Sequence, residues 1–159
     1  MDKITRERYE AAMLAWERKR SPNIPEHLLY SFVDKTSANS ANGLTKCVIN
    51  YLMAQGWQAE RINTMGRPVD TRKKYKDVIG QTREVGSITW IPGTGTKGSA
   101  DISATIRGRS VKIEIKFGRD RQSEAQRAYE QDVTAAGGVY IIVRDMDGFL
   151  RWYDQFIKL

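Results

Sequence analysis

Two acids and a lysine stand close together in a stretch whose other residues are mostly small or apolar. In "GSADISATIRGRSVKIEIKFG", residues 98–118, Asp101 opens the stretch and Glu114 and Lys116 close it. Mg²⁺ prefers carboxylate oxygens, and it usually binds one or two of them while keeping several waters. A lysine beside such an ion can steady the attacking water or the attacked phosphate. These residue types predict a cation site for the hydrolysis of phosphodiester bonds.

The alternation of the same stretch predicts a β-hairpin that carries the three residues on one face. "RGRS" at 107–110 suits a two-residue turn that begins with Gly108, the type II′ pattern. The apolar face would pair Ile106 with Val111, Ala104 with Ile113, and Ile102 with Ile115. The polar face would pair Asp101 with Lys116, Ser103 with Glu114, and Thr105 with Lys112. The two acids would then be diagonal neighbours, with ~7–8 Å between their α-carbons. An ordinary solvated face with a cross-strand ion pair is the alternative.

The segments around the hairpin predict an α/β fold with a mixed central sheet flanked by helices. A helix is expected from Leu44 to Gly56, a strand at 57–62, a helix at about 123–136 and a strand at 139–143. The last of these, "VYIIV", has the composition of an interior strand covered on both faces. The C-terminal "DGFLRWYDQFIKL" suits either a helix or a strand and tail.

Two further segments are expected outside this core. Residues 1–40 predict a helical extension, with an amphipathic helix at 5–20. Residues 63–97 have no simple periodicity and predict an insertion in a domain that spans 41–159. Basic residues cluster in the first half of the insertion, and they are candidate contacts to DNA phosphates: Arg67, Arg72, Lys73, Lys74 and Lys76. Trp57 and Trp90 could stack on bases, but burial within the fold is the expectation for both.

The chain carries an excess of positive charge that suits a polyanionic partner. Its 159 residues include 26 Lys and Arg against 19 Asp and Glu, a net charge of +7. Such a charge predicts binding to nucleic acid, although it says nothing about catalysis. One cysteine, Cys47, and one histidine, His27, are too few for a structural zinc site. A lone cysteine favours a reducing, cytoplasmic compartment, and no apolar run approaches the ~20 residues of a membrane span.

A glycine-rich loop, "PGTGTKG" at 92–98, precedes Asp101. A nucleotide-binding P-loop needs Gly-Lys followed by Ser or Thr, at the start of a helix. Here Gly98 separates Lys97 from Ser99 and a strand follows, so nucleotide hydrolysis is excluded. The loop could lie on a DNA backbone through its amides and Lys97, or serve as a plain connection. Arg119 and Arg121, just past Lys116, are further candidates for backbone contacts.

These residues resemble the signature of the PD-(D/E)XK nucleases. "GSADI", with "EIK" beginning thirteen residues after the aspartate, resembles their D…ExK motif. The expected element order is similar to their core. "LTKCVINYLMAQGWQAERI" is similar to the entry helix and first strand of archaeal Holliday junction resolvases. "QSEAQRAYEQDVTAAGGVYIIV" is similar to the stretch after the motif lysine in the VRR-nuclease branch. The resemblance covers about residues 40–145.

The resemblance implies a restriction-endonuclease-like core and a metal-dependent deoxyribonuclease. Asp101 and Glu114 would bind Mg²⁺ or Mn²⁺, with the Ile115 carbonyl as a third ligand, and Lys116 would orient the nucleophilic water. Gln126 matches a glutamine that contacts the substrate or the active site. Ser123-x-x-Gln126 is also a capping box, which would use Gln126 to close a helix. Branched or structured duplex DNA is the implied substrate, and a homodimer is compatible with the resemblance.

The sequence departs from the family pattern in two places. Ala100 stands where many members have proline. Several branches carry a glutamate near the start of the first helix, whereas "NGLTKC" offers Asn42 and Thr45 and no acid. This departure keeps open a DNA-binding protein that retains the nuclease fold without efficient catalysis. A protein-binding domain with an acidic partner is a third alternative.

Overall fold

The chain folds into two compact units in a computed structural model that describes residues 1–33, 35–63, 66–91, 93 and 95–159. Unit 1 comprises Met1–Ile62 and Gly98–Leu159, and unit 2 comprises Asn63–Lys97. Unit 2 is the segment predicted as an insertion. Positions 92 and 94 of the glycine-rich loop, for which a contact to the DNA backbone is predicted, lie outside the described residues.

The secondary structure consists of five helices and eight strands among the described residues. The helices are α1 (Lys3–Arg20), α2 (Glu26–Phe32), α3 (Ala41–Ala54), α4 (Glu124–Ala135) and α5 (Met146–Phe156). The strands are β1 (Gln58–Arg61), β2 (Arg67–Asp70), β3 (Lys73–Lys76), β4 (Thr82–Val85), β5 (Ile88–Ile91), β6 (Ile102–Ile106), β7 (Arg109–Ile115) and β8 (Val139–Val143). The C-terminal segment, which the sequence leaves undecided, is therefore a helix. Each described helix is too short or too polar to cross a lipid bilayer.

Unit 1 contains a sheet with mixed strand directions, as predicted. Its order is β1-β6-β7-β8, with the first two pairings antiparallel and β7–β8 parallel. Helices flank it, so the expected mixed α/β class is confirmed. The expectation of an interior position for "VYIIV" is wrong, because β8 ends the strand order and leaves Ile142 40% exposed. An apolar run does not distinguish an interior strand from an edge strand that helices cover only in part, as α4 and α5 do here.

The hairpin of β6 and β7 forms, but its predicted register is wrong by two residues. The turn residues are Arg107 and Gly108, with φ of 52° and 76°. Positive φ at both positions is the type I′ geometry, whose twist matches that of the strands. The Arg107 side chain also donates to the Ile157 carbonyl at the end of α5, which holds this residue in place. Ile102 consequently faces Ile113 instead of Ile115.

A slip of two residues leaves both faces of the hairpin as predicted, because side chains alternate with a period of two. The apolar face is buried, and it consists of Ile102, Ala104, Ile106, Val111, Ile113 and Ile115. On the other face Ser103 lies opposite Lys112. One further step along this register brings Asp101 level with Glu114, so the acids are direct neighbours and not diagonal ones. The predicted pairing of Asp101 with Lys116 is wrong for the same reason.

The core of unit 1 lies between the sheet, α3 and α5, and the N-terminal helix contributes to it. The α3 residues Leu44, Val48 and Leu52 are fully buried in this core. Tyr9 and Met13 of α1 belong to the same cluster. The described residues of 1–40, which the sequence predicts as an extension, belong to unit 1.

Unit 2 is an antiparallel arm made of two short strand pairs. Strand β2 pairs with β5, and β3 pairs with β4. The Thr71 amide donates to the Ser87 carbonyl at 3.0 Å and links the two pairs. Trp90 on β5 is 60% exposed, so the expected burial is wrong there. Trp57 in unit 1 is half-buried, and its indole N–H donates to the Tyr153 hydroxyl.

Candidate active site

Asp101 is held at the start of β6 by both neighbouring strands. Its carbonyl accepts a hydrogen bond of 2.8 Å from the Ile62 amide, which continues the pairing of β1. Its Oδ2 accepts a hydrogen bond of 2.9 Å from the Ile115 amide on β7. The carboxylate is therefore fixed against the strand that carries Glu114.

Glu114, Lys116 and Gln126 form a closed cluster at the same end of the sheet. The Lys116 ammonium lies 2.9 Å from Glu114 Oε1. Gln126 Nε2 donates to the same oxygen at 2.5 Å, and Lys116 Nζ donates to Gln126 Oε1 at 2.9 Å. Glu114 is 2% exposed and Lys116 5% exposed. The three side chains thus orient one another, and the two charged ones are almost fully buried.

Gln126 closes the helix as the capping box predicts, and its predicted contact to the substrate or the active site stays a prediction. Its Oε1 accepts from the Ser123 amide, and its own amide donates to Ser123 Oγ, so the capping box of α4 is present. The same side chain bonds Glu114 and Lys116. Gly98 brings the chain close to this helix, because a Cβ at its φ of +82° would lie 2.3 Å from the Ala125 carbonyl oxygen. The start of α4 therefore contacts both the Glu114–Lys116 pair and the chain at Gly98, which leads into Asp101.

The burial of the cluster shifts the pKa of both charged groups. Burial raises the pKa of Glu114, the Lys116 ammonium opposes that shift, and the charge of Asp101 adds to it. Burial alone would lower the pKa of Lys116, but Glu114 and Asp120 outweigh it and raise that pKa. Lys116 therefore remains a cation at neutral pH, and it is suited to binding negative charge and not to accepting a proton.

One oxygen of the cluster has no partner of its own. Glu114 Oε2 is buried and has no hydrogen-bond partner in the described part of the chain. Leaving a buried acceptor unsatisfied costs on the order of 1–3 kcal/mol, and a hard cation between this oxygen and Asp101 would remove that cost. The described residues contain no group of three or more His, Cys, Asp and Glu suited to a metal. The predicted set is smaller, with two carboxylates and the Ile115 carbonyl, and that carbonyl's role stays a prediction.

The other predicted contacts divide between the two units. Arg119 and Arg121 are exposed in the segment after Lys116. Five of the cations predicted as contacts in unit 2 are exposed: Arg67, Lys73, Lys74, Lys76 and Lys97. Arg72 is also at the surface, but its guanidinium is paired with Asp70 and Glu84. The structure thus brings together Asp101, Glu114, Lys116 and Gln126 within unit 1.

Two residues without a predicted role belong to the same surroundings. Asp120 Oδ2 lies 3.4 Å from Lys116 Nζ. Tyr140 on β8 is level with Lys112, which places it on the polar face. Burial raises the pKa of Tyr140 to about 12, the Gln122 side chain opposes the shift, and Glu114 adds to it. The alternation of β8 beside a parallel β7 is the signal that could have identified Tyr140.

The first helix of the proposed core supplies no acid to the site, as its sequence indicates. Asn42 Oδ1 accepts a hydrogen bond of 2.9 Å from the Arg61 guanidinium. Thr45 is buried, and its hydroxyl donates to the Ala41 carbonyl. The side chains of α3 therefore include amide and hydroxyl groups but no carboxylate.

The cluster is separate from the cavity that α1 forms with residues 30–33 and 35–39. That cavity has a volume of about 400 Å³, and none of the four clustered site residues lines it. Compared with models of known protein families and with curated proteins, the chain has no match.

Proposed function

We propose that the chain is a metal-dependent deoxyribonuclease with a restriction-endonuclease-like core. The observation that carries the proposal is the unpartnered, buried Oε2 of Glu114, next to a fixed Asp101 and a charged Lys116. This combination leaves an oxygen for a cation and places a positive charge beside it. An ordinary solvated hairpin face has no reason to bury Glu114 and Lys116 together, because buried charges are costly.

The element order supports the proposed core. Helix α3, strand β1, the β6–β7 hairpin, helix α4 and strand β8 follow one another in the order that the resemblance implies. The motif acids lie on the hairpin, and the glutamine lies in the first turn of the next helix. The PD-(D/E)XK relationship itself rests on this order and on the short motif.

In the proposed reaction, a water oxygen bonds to phosphorus and loses a proton to solvent, while the ester P–O bond opposite it breaks and the departing oxygen takes up a proton from solvent. Asp101 and Glu114 would hold Mg²⁺ or Mn²⁺, which acidifies a bound water and neutralises charge on the phosphate. Lys116 orients that water or the attacked phosphate as a cation. Gln126 fixes the positions of the Glu114 and Lys116 side chains relative to each other through its two hydrogen bonds. Asp120 holds the ammonium from the side of the chain that leads to α4.

The proposed substrate is branched or structured duplex DNA, by analogy with the resolvase and VRR branches. The net charge of +7 supports a nucleic-acid substrate. A homodimer remains compatible with the analogy.

Cleavage assays with matched variants test the proposal. Junction, flap and linear DNA would be incubated with Mg²⁺ or Mn²⁺. Asp101→Asn and Lys116→Met should each slow cleavage by about 10²-fold or more, the size typical of losing one charge-stabilising group. Asp132→Asn, the same change on an exposed position of α4, should cut like the wild type. Equal rates for Asp101→Asn and Asp132→Asn would overturn the assignment.

A DNA-binding protein without efficient catalysis is the second candidate. The observation that favours it is the lack of an acid on α3, where Asn42 bonds Arg61 instead. The occupation of Glu114 Oε1 by Lys116 and Gln126 points the same way. Retained binding with no cutting of any of the three DNAs, under either metal, would establish this function. Failure to bind DNA at any salt concentration would favour an acidic protein partner.

A further inference from the structure

Within the described part of unit 2, no element packs on either face of the β3–β4 hairpin. Every residue of both strands is exposed. Two-stranded hairpins are at best marginally stable in water by themselves. A bound partner would add the contacts that this hairpin lacks, and the composition of the hairpin indicates which kind of partner suits it.

The tip of the hairpin presents two apolar side chains on a fixed turn. Val78 is 105% exposed and Ile79 75% exposed, the fullest exposure among the large apolar residues described in unit 2. The Asp77 carboxylate accepts hydrogen bonds from the amides of Ile79 and Gln81, at 3.0 and 2.9 Å. The Gly80 amide donates to the Asp77 carbonyl and closes the turn. The apolar tip is thus preorganised and directed away from its own strands.

The shaft behind the tip is basic. Residues 63–97 contain seven Lys and Arg against three Asp and Glu, so this unit carries an excess of four of the chain's seven positive charges. The acids are each paired with an arginine, Asp70 and Glu84 with Arg72, and Asp77 with Arg83. The net positive charge is consequently supplied mainly by lysines, and three of them lead directly into the tip: Lys73, Lys74 and Lys76.

We propose that this arm binds duplex DNA by inserting the Val78–Ile79 tip as a wedge at a base step, while the shaft lysines bind the flanking phosphates. Apolar side chains between base steps unstack them and kink the duplex, and the bend allows more contact with the protein. Lysines on the shaft fit because neutralising phosphates releases counterions. The inference rests on the part of the proposed function that assigns DNA as the ligand, and it does not require cleavage.

DNA fits this surface better than a second copy of the chain does. Two such arms facing each other would bring like-charged lysines together around the apolar contact, which costs free energy. A polyanion has the opposite charge and supplies apolar base faces at the same place.

Base unstacking in EDTA, without metal, tests the wedge separately from the nuclease. A set of duplexes and junctions would carry 2-aminopurine at successive positions, and its fluorescence rises when the base is unstacked. The wild type should raise the fluorescence at one or a few positions. The Val78→Ser/Ile79→Ser variant should bind with the same salt dependence but lose the rise. Ile4→Ser is the matched control, because Ile4 on α1 is 76% exposed, and it should behave as the wild type.

Several outcomes would overturn the wedge. A fluorescence rise that persists in Val78→Ser/Ile79→Ser, or that is absent in a wild-type protein bound to the DNA, contradicts it. A change in the sedimentation of the free protein, with the rise intact, would assign the tip to a contact between copies. Lack of any DNA binding would overturn both the wedge and the DNA ligand. A wedge signal followed by no cleavage on adding Mg²⁺ would remove the nuclease and leave the wedge standing.

Discussion

Lysines in the two units of the molecule are placed in opposite ways. Lys116 in unit 1 is 5% exposed and touches oxygens of Glu114, Gln126 and Asp120. The lysines of β3 in unit 2 are exposed on a bare strand. A buried charge must be paired and held, because burying it costs several kcal/mol. An exposed charge costs little free energy, and several of them together can strengthen the binding of a charged partner. The buried arrangement of Lys116 suits a single chemical step, whereas the exposed lysines of β3 suit binding to a polyanion.

Removing the buried cation should have the largest effect on stability. Lys116→Met leaves Glu114 as an uncompensated buried acid and should lower the free energy of unfolding by about 3 kcal/mol. Urea denaturation at pH 7.5, without metal, measures it. The double variant Lys116→Met/Glu114→Gln should recover most of the loss, since no charge is then buried alone. Arg83→Met breaks an ion pair of unit 2 whose arginine is 57% exposed and whose aspartate is 13% exposed, and it should cost less than about 1 kcal/mol because the arginine is largely solvated. Equal losses of stability for Lys116→Met and Arg83→Met would show that burial does not make the ion pair of unit 1 more important for stability than that of unit 2.

Replacing Gln126 should cause a smaller loss of stability, with one part from the helix cap and one from the hydrogen bonds to the ion pair. Gln126→Ala removes one half of the capping box and both bonds to the ion pair, and about 2 kcal/mol is expected. Ser123→Ala removes the cap alone and should cost about 1 kcal/mol. Denaturation and cleavage would be measured for both variants. A drop in cleavage rate confined to Gln126→Ala would assign the glutamine to the site, whereas equal drops would leave it as a helix cap.

The exposed lysines should affect binding without affecting stability. Replacing Lys73, Lys74 and Lys76 by Gln should reduce the slope of log K against log salt by about 0.9 for each phosphate that the arm no longer neutralises. Fluorescence anisotropy across a salt series measures the slope, and urea denaturation should be unchanged. Replacing three exposed lysines of unit 1, Lys3, Lys19 and Lys158, by Gln removes the same number of charges and is the control for total charge. An equal change of slope in that control would show that the arm acts through net charge alone.

The buried framework is easier to predict from the sequence than the side-chain partners are. Apolar spacing in α3 and alternation in the hairpin determine which faces are buried, because burial dominates the energetics of both. The register depends on the backbone of Arg107, whose positive φ no composition rule anticipates. Burial is the usual expectation for an aromatic residue such as Trp90, but a two-stranded arm has no second layer. The position of Tyr140 follows only from the parallel pairing of β8.

The site itself is predictable as a set of residues but not as a network. The motif spacing indicates Asp101, Glu114 and Lys116 from the sequence alone. The double role of Gln126, which caps α4 and bonds two of them, depends on where α4 begins relative to β7, a tertiary distance. The ion pair between Glu114 and Lys116 likewise depends on side chains two residues apart converging at a strand end.

A half-exposed ion pair in unit 1 tests whether exposure explains the difference between the lysines of the two units. Its exposure lies between that of the buried Lys116 and that of the lysines of β3, and the expected effect on stability is the smallest. Arg8 of α1 binds Asp154 of α5 through both carboxylate oxygens, at 2.6 and 2.5 Å, and the two side chains are 37% and 40% exposed. The Arg8 hydrogen bonds lower the pKa of Asp154, and burial opposes that shift. We expect the free energy that an ion pair contributes to depend on its exposure and not on the unit that contains it. Asp154→Asn should therefore lower the free energy of unfolding by less than about 1 kcal/mol at pH 7.

The pH dependence of that loss follows from the direction of the shift. A carboxyl whose pKa is lowered in the folded state stabilises the protein fully above its unfolded pKa of about 3.9. The contribution disappears as the pH falls through the lower, folded pKa. The wild type and Asp154→Asn should therefore differ in urea midpoint at pH 7 and converge on acidification below about pH 4. Glu7→Gln, on an exposed pair within α1, should match the wild type throughout. A gap that stays constant into acid would contradict this expectation, because the loss in Asp154→Asn would then not come from the carboxylate charge.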